Sequence, residues 1–302
     1  GIQALIAIAG RQTANLQAGD LGFAIAPRLN AAGRMQDMSL GIQCLLTDDI
    51  NLAKQLAERL DGLNRDRREI EGQMKQEAMN LLADMKTPDD KHLSAGICLF
   101  DEGWHQGVIG ILASRIKDRL HRPVIAFAPG DSGEIKGSAR SIQGVHIRDV
   151  LSEIAAEHPQ ILHKFGGHAL AAGLTIKLQD YPQFVLLFSS VVAGKLTELD
   201  LQQTVLSDGQ LDDAHLNQSF AAQLQAIATW GHGFPEPLFD GVFDVIQCRI
   251  VGQQHLKFVL RPSFSTQMID AIGFFAEQAD KWLGCRKIRA VYKLDINEFR
   301  NQ

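Results

Sequence analysis

Cysteine is scarce: four residues in 302, Cys44, Cys98, Cys248 and Cys285, none in a CxxC or another metal-ligand spacing. That excludes a disulfide framework and a cysteine-built zinc module, and it fits isolated reduced thiols. No apolar run reaches the roughly 18 residues that a membrane helix needs, and no signal peptide opens the chain. A soluble, cytoplasmic protein is the expectation. Positive charge is not in excess, since 30 Lys and Arg stand against 35 Asp and Glu, for a net charge of −5. A histone-like basic coat is thereby excluded, although a local nucleic-acid groove is not. HxxxH, HExxH, Walker A, GxSxG and GxGxxG patterns are all absent. What remains is an ordinary globular composition, 45% hydrophobic and 22% charged. A chain this long suggests two or three domains with sizeable cores.

Hydrophobic spacing divides the chain into three textures. Residues 1 to 46 alternate short helical stretches with a loop, PRLNAAGRMQD. Residues 49 to 85 read as one long helix, with Leu52, Leu56, Leu60, Leu63, Ile70, Met74, Ala78, Leu81 and Leu82 at three- and four-residue spacing. Thr47-Asp48-Asp49 offers N-cap side chains, and Thr87-Pro88-Asp89-Asp90 is a stop signal. Residues 92 to 177 alternate strand and helix, the pattern of an α/β layer domain. Strands are expected at Ile97 to Phe100, Pro123 to Ala128, Gly133 to Ile142 and Leu174 to Lys177. Helices are expected at Val108 to Leu120, Ile147 to Glu157 and Tyr181 to Leu196. Beyond Val205, a helix near Phe220 to Ala228 leads to Trp230-Gly-His-Gly-Phe-Pro-Glu-Pro and four strand-like runs. A small β-barrel of the oligonucleotide-binding (OB) type suits them. Alternation places most of Phe243, Phe258, Phe264, Phe274 and Phe275 in its core.

Four constellations could carry chemistry. In Phe165-Gly166-Gly167-His168-Ala169-Leu170-Ala171-Ala172-Gly173, two glycines let backbone N–H groups approach a ligand, and His168 can donate to a phosphate oxygen. The small residues that follow would start a helix whose N-terminus attracts anions. The same string also fits a tight turn with a closely packed helix. Lys136-Gly137-Ser138-Ala139-Arg140-Ser141 alternates basic and hydroxyl side chains on an extended segment, suited to phosphate or to a solvated edge. Arg28, Asn30 and Arg34 in the small-residue loop could grip a sugar-phosphate backbone or simply form a capped turn. Asp101 and Glu102 are adjacent, so on extended chain they point apart and make a poor metal pair. Trp104 beside them is a packing residue.

Taken together, LGFAIAPRLNAAGRM (Leu21 to Met35), WHQGVIGILASR (Trp104 to Arg115), KGSARSI (Lys136 to Ile142), KFGGHALAAG (Lys164 to Gly173) and WGHGFPEPLFDG (Trp230 to Gly241) resemble the RecJ family of the DHH phosphoesterase superfamily. The GGH element marks only the superfamily, while the whole set in this order is more specific. The resemblance implies residues 1–48 as the end of a DHH catalytic domain and 49–88 as a connecting helix. It implies a DHH-associated α/β domain at 89–198 and an OB-fold domain, expected to be incomplete, at 199–302. It also implies metal-dependent 5′→3′ hydrolysis of single-stranded DNA in repair and recombination, with Mn²⁺ or Mg²⁺ in a two-metal mechanism.

By the same resemblance, His168 with Gly166 and Gly167 would hold substrate phosphate, and Ser138 and Arg140 the neighbouring backbone. Arg28, Asn30 and Arg34 would line the strand's path. The family's metal ligands lie in N-terminal motifs that include an Asp-His-His triplet, which this sequence lacks. The expectation is therefore a C-terminal fragment that is inactive alone, binds no metal, acts as a monomer and has single-stranded DNA as partner. A single-stranded-DNA-binding protein is a further partner the family implies. A single-strand-binding module without chemistry and an oligonucleotide or cyclic-dinucleotide phosphodiesterase are the alternatives.

Overall fold

The computed structural model describes residues 1–13, 16–84, 94–162, 164–197, 200–231, 233–252, 255–276 and 278–297. The chain divides into two units, Gly1–Gln203 and Thr204–Gln302. The expected stop at Thr87 to Asp90 lies outside the described residues, as does His232 of the WGHGFPEP motif.

The first unit opens with helices. These are α1 (Ile2–Ile8), the short α2 (Ala18–Asp20) running into a π-helical turn at Leu21–Ile25, α3 (Ala26–Met35), α4 (Ser39–Leu46) and the 35-residue α5 (Ile50–Asp84). The loop expected at PRLNAAGRMQD is instead mostly α3. Pro27 sits in the first turn of α3, directly after the π-helical turn, where its fixed φ suits the helix. Ala31 and Ala32 are fully buried there, so small residues serve close helix packing rather than a turn.

The long helix α5 lines two cores in succession. Leu56, Ala57 and Leu60 pack with Leu5, Ile25, Ala32 and Cys44 of the preceding helices. Met74, Ala78 and Leu82 pack against Ile97, Leu99, Leu112, Ala126 and their neighbours. Between the two cores lie Asn64 and Arg67, both buried, with Arg67 donating to Asn64 and pairing with Glu71 at 2.6 Å. This polar belt is where the helix changes partners.

The α/β part follows as β1 (Ile97–Phe100), α6 (Ile109–Leu120), β2 (Val124–Pro129), β3 (Glu134–Arg140), α7 (Ile147–Glu157), β4 (Lys164–Gly167), β5 (Ala171–Lys177) and α8 (Tyr181–Lys195). The five strands form one sheet in the order β1-β2-β3-β5-β4, with β1 and β2 parallel and the rest antiparallel. One face packs under α7 and α8 through Phe127, Ile135, Ala139, Ala172, Leu174, Ile176, Phe184 and Phe188. The opposite face is covered over β1 and β2 by α5 and α6. Beyond α6, the same face of β3, β5 and β4 carries partly or fully exposed Ser138, Arg140, Gly166, His168 and Gly173.

The small-residue run after the GGH element does not start a helix. Ala171–Lys177 is a strand, paired with β4 and β3. Ala172, Leu174 and Ile176 alternate into the core, and that period of two outweighs the helix propensity of alanine.

The second unit has α9 (Gln218–Ile227) and an antiparallel sheet of β6 (Phe239–Val251), β7 (His255–Pro262), β8 (Ile269–Gly273) and β9 (Lys287–Tyr292), in the order β8-β7-β6-β9. A bulge between Val245 and Gln247 shifts the β6–β7 register. Phe243, Phe258, Leu256 and Leu260 form its core. Phe264, Phe274 and Phe275 are 46%, 64% and 73% exposed, against the expectation that most of these rings are interior. All three lie beyond strand ends, where alternation no longer dictates a side. No helix of the described residues is long and apolar enough to cross a membrane.

Candidate functional site

Antiparallel pairing brings distant residues into rows on the open face of the first unit's sheet. Ser138 is registered with Gly173, and Gly173 with Gly166. Arg140 is registered with Ala171, and the His168 N–H donates to the Ala171 carbonyl at 2.8 Å. Directly opposed residues share a face. Two motifs some thirty residues apart, KGSARS and FGGHALAAG, thus meet on one surface.

The hairpin that carries His168 is fixed from behind. The Ser141 N–H donates to the Leu170 carbonyl at 3.0 Å, and the Ile147 N–H, at the start of α7, to the Ala169 carbonyl at 2.8 Å. Ser141 is itself buried, and its hydroxyl donates to the Val145 carbonyl at 2.7 Å. Gly167 has φ +152°, and a Cβ there would fall 2.4 Å from the Ala171 carbonyl oxygen. Only glycine fits that position.

The N-terminus of α6 closes the site on another side. A Cβ on Gly110 would lie 2.9 Å from Arg140 Nη2 and 3.0 Å from Ser138 Oγ. A Cβ on Gly107 would lie 2.1 Å from the Arg34 carbonyl oxygen, so the end of α3 rests directly on the loop before α6. Arg34 reinforces the contact by donating from Nη1 to the Gly107 carbonyl at 3.1 Å. His105 Nδ1 accepts from the Gly107 N–H at 3.0 Å, and Gln106 donates to the Pro129 carbonyl at 2.6 Å, which together hold this loop. Sequence reasoning missed Gly107 and Gly110. The signal was two glycines three residues apart at a helix start, a pattern suited to close approach of an anion.

The electrostatics are one-sided. Arg140 donates to Ser138 Oγ at 3.1 Å and to its neighbouring Ala139 carbonyl at 2.8 Å. Burial, and then the like charge of Arg34, hold its guanidinium below the usual arginine range. Among the described residues no carboxylate lies within ion-pair distance of Arg34 or Arg140. The half-buried Arg140, the exposed Arg34, a hydroxyl and a helix N-terminus gather here, a set of donors whose chemistry suits an anion.

The remaining candidates are placed differently. Asn30 is exposed one turn from Arg34 on α3. Arg28 is tied into the fold, its Nε donating to Asp61 of α5 at 2.8 Å and its Nη1 to the Ala24 carbonyl at 2.6 Å. Asp101 caps its own turn by accepting from the Gly103 N–H at 2.8 Å, and Trp104 is buried with Nε1 donating to Glu77 at 3.0 Å. No three His, Cys, Asp or Glu side chains among the described residues gather to hold a metal ion. The donor set at the site is cationic and N–H-rich, the wrong chemistry for Mg²⁺ or Mn²⁺.

Comparison with known proteins finds two family domains in the chain. Residues 91–194 match the DHHA1 domain and residues 207–302 the RecJ OB domain. The chain is 47% identical over 302 residues to the single-stranded-DNA-specific exonuclease RecJ of Escherichia coli, covering 99% of this chain and 52% of that protein. It is 30% identical to RecJ of Bacillus subtilis, over 100% of this chain and 38% of that protein. The crystal structure of RecJ in complex with Mg²⁺ from Thermus thermophilus matches with a TM-score of 0.79 at 27% identity, covering 100% of this chain and 44% of that one. A second structure of the Thermus protein is in complex with Mn²⁺. The chain spans about half the length of the curated relatives it matches. With both domains present in order and a likeness that runs through every described element, the chain belongs to the RecJ family.

Proposed function

We propose that this chain supplies the DNA-gripping part of a single-stranded-DNA exonuclease, with Arg34, Ser138 and Arg140 binding a terminal phosphate and His168 the next stretch of backbone. The observation that carries the reading is the approach of two arginines to one another with no carboxylate among the described residues within ion-pair distance of either. Like charges held this close raise the energy of the empty site, and a phosphate monoester with its two negative charges relieves it. The N-terminus of α6 adds a further attraction for the same group. Gly166 and Gly167 bring backbone beside the strand, Asn30 extends the polar lining along α3, and Arg28 supports that helix through Asp61.

Phosphodiester hydrolysis in the 5′→3′ direction, with Mn²⁺ or Mg²⁺, belongs in this reading to the whole protein, in DNA repair and recombination. The ions would activate water and stabilise the leaving oxygen. This chain positions the strand for that step and has no turnover by itself. A single-stranded-DNA-binding protein is the proposed companion, and the chain acts as a monomer.

The test is fluorescence anisotropy with a short DNA strand carrying either a 5′-phosphate or a 5′-hydroxyl, in a salt series. The phosphorylated strand binds more tightly, and Arg34→Ala and Arg140→Ala remove that preference. Each lowers the slope of log affinity against log salt by about 0.7. His168→Ala weakens both strands alike. Equal affinity for the two ends, unmoved by either arginine change, would sink the reading.

A further inference from the structure

We propose that Gly166 and Gly173 form a bare floor on which one deoxyribose ring of the bound strand lies flat, with Lys136 and Lys164 taking the phosphate beyond it. This rests on the single-strand-binding reading above.

The glycines of this sheet are of two kinds. Gly167 and Gly137 are demanded by the fold: a Cβ on Gly167 would strike the β5 backbone, and one on Gly137 would lie 2.6 Å from the Phe127 ring and 2.7 Å from Leu174. Gly166 and Gly173 are not. A Cβ on Gly166 would meet nothing within 4 Å, and one on Gly173 only the Gly137 carbonyl oxygen at 4.0 Å. Neither has a positive φ. Both are exposed, and they face each other as a registered pair. Glycine in a strand weakens it, and where neither backbone nor packing requires it, close approach of a ligand is the remaining physical reason.

The borders identify the ligand. Along the strands, rows of side chains on one face are spaced about 6.6 Å apart. On one side of the floor is the Arg140–Ala171–His168 row. On the other is Lys136–Thr175–Lys164, paired in the same register. Lys164 has no carboxylate partner among the described residues. Lys136 has Asp131 at 3.6 Å, with side chains 43% and 93% exposed, a weak and displaceable pair. A small ring that lies flat between two cationic rows has an anionic group on each side. In a nucleic-acid strand that ring is the sugar, flanked by its two phosphates.

The experiment measures thermal melting and binding of a 5′-phosphorylated oligodeoxynucleotide for Gly166→Ala, Gly173→Ala, Lys136→Ala, Lys164→Ala and Arg140→Ala. The alanine variants of the glycines melt no lower than the parent chain and bind about tenfold more weakly. Each lysine change lowers the salt slope by about 0.7. If the glycine variants bind like the parent while Arg140→Ala weakens binding, the floor is ordinary sheet surface and the inference is overturned alone. A fall in melting temperature for both glycine variants overturns it too, since the fold would then need them. No binding by the parent chain, or binding indifferent to Arg140→Ala, overturns the reading beneath it.

Discussion

Replacing Gly110 by alanine should separate stability from function in one step. The new methyl group would stand 2.9 Å from Arg140 Nη2 and 3.0 Å from Ser138 Oγ, inside van der Waals contact with both. Both obstacles are ends of side chains, so the backbone need not move and the guanidinium must. Alanine in place of glycine in the first turn of α6 favours the helix by up to about 1 kcal/mol. For a unit of this size that corresponds to a rise of about 2–4 °C in melting temperature, less whatever the displaced arginine returns. A displaced Arg140 loses one charge-assisted hydrogen bond to the phosphate, about 1.5–3 kcal/mol, or about 10- to 150-fold in affinity. The assay pairs a thermal melt with anisotropy on 5′-phosphorylated DNA. A variant that is as stable as the parent chain and binds as tightly would refute the placement of the phosphate at the α6 N-terminus. A variant that loses several degrees would show that Gly110 serves packing instead.

Three further outcomes follow from the geometry. Gly167→Ala places a Cβ against the Ala171 carbonyl at a backbone angle that side chains rarely adopt, so the melting temperature should drop by several degrees, about 1–3 kcal/mol, and DNA binding with it; an unchanged melt would contradict the strain. Trp104→Phe keeps most of the buried ring but removes the 3.0 Å hydrogen bond to Glu77, costing about 1–2 kcal/mol in a urea titration, and a neutral result would mean that water replaces the indole. Burial pushes the thiol of Cys98 and the phenol of Tyr181 up, so both stay protonated in the folded chain after the unfolded chain has begun to ionise; stability is full below about pH 8.5 and falls as pH climbs beyond it, and Cys98→Ala should flatten the first part of that fall.

Most of the secondary structure was legible because burial and period coincide. The helix at Ile147–Glu157 and the strand at Ile97–Phe100 occur with the bounds their apolar spacing suggests. The two misreadings share a cause. In α3, Pro27 and Gly33 look like turn punctuation, yet proline belongs in a first helical turn and Gly33 faces solvent. In β5, Ala171, Ala172 and Gly173 look like a helix start, yet the chain is committed to a strand by Leu174 and Ile176, whose alternation continues back to Ala172. Small residues carry little directional signal of their own, so the neighbours with larger side chains decide.

The site was legible as motifs and not as a site, and the reason is physical. Nothing in the local pattern of Pro27 to Arg34 says that the end of α3 will meet Gly107, because the contact is made by a missing side chain at one partner and a backbone carbonyl at the other. The same holds at Gly110, where the absence of a Cβ makes room for Arg140. An approach of this kind tolerates one residue type on one side and almost any on the other, so it leaves no pair of complementary side chains to read. Charged contacts behave differently: Arg28 with Asp61 is visible as a pair once α3 and α5 are packed neighbours. It follows that the arginines with partners, here Arg28, are the ones that build the scaffold. Those without a carboxylate partner among the described residues, Arg34 and Arg140, are held in place by backbone carbonyls and glycines. Such anchoring fixes a guanidinium without neutralising it, which is what a site must do if the neutralising charge is to arrive with the substrate.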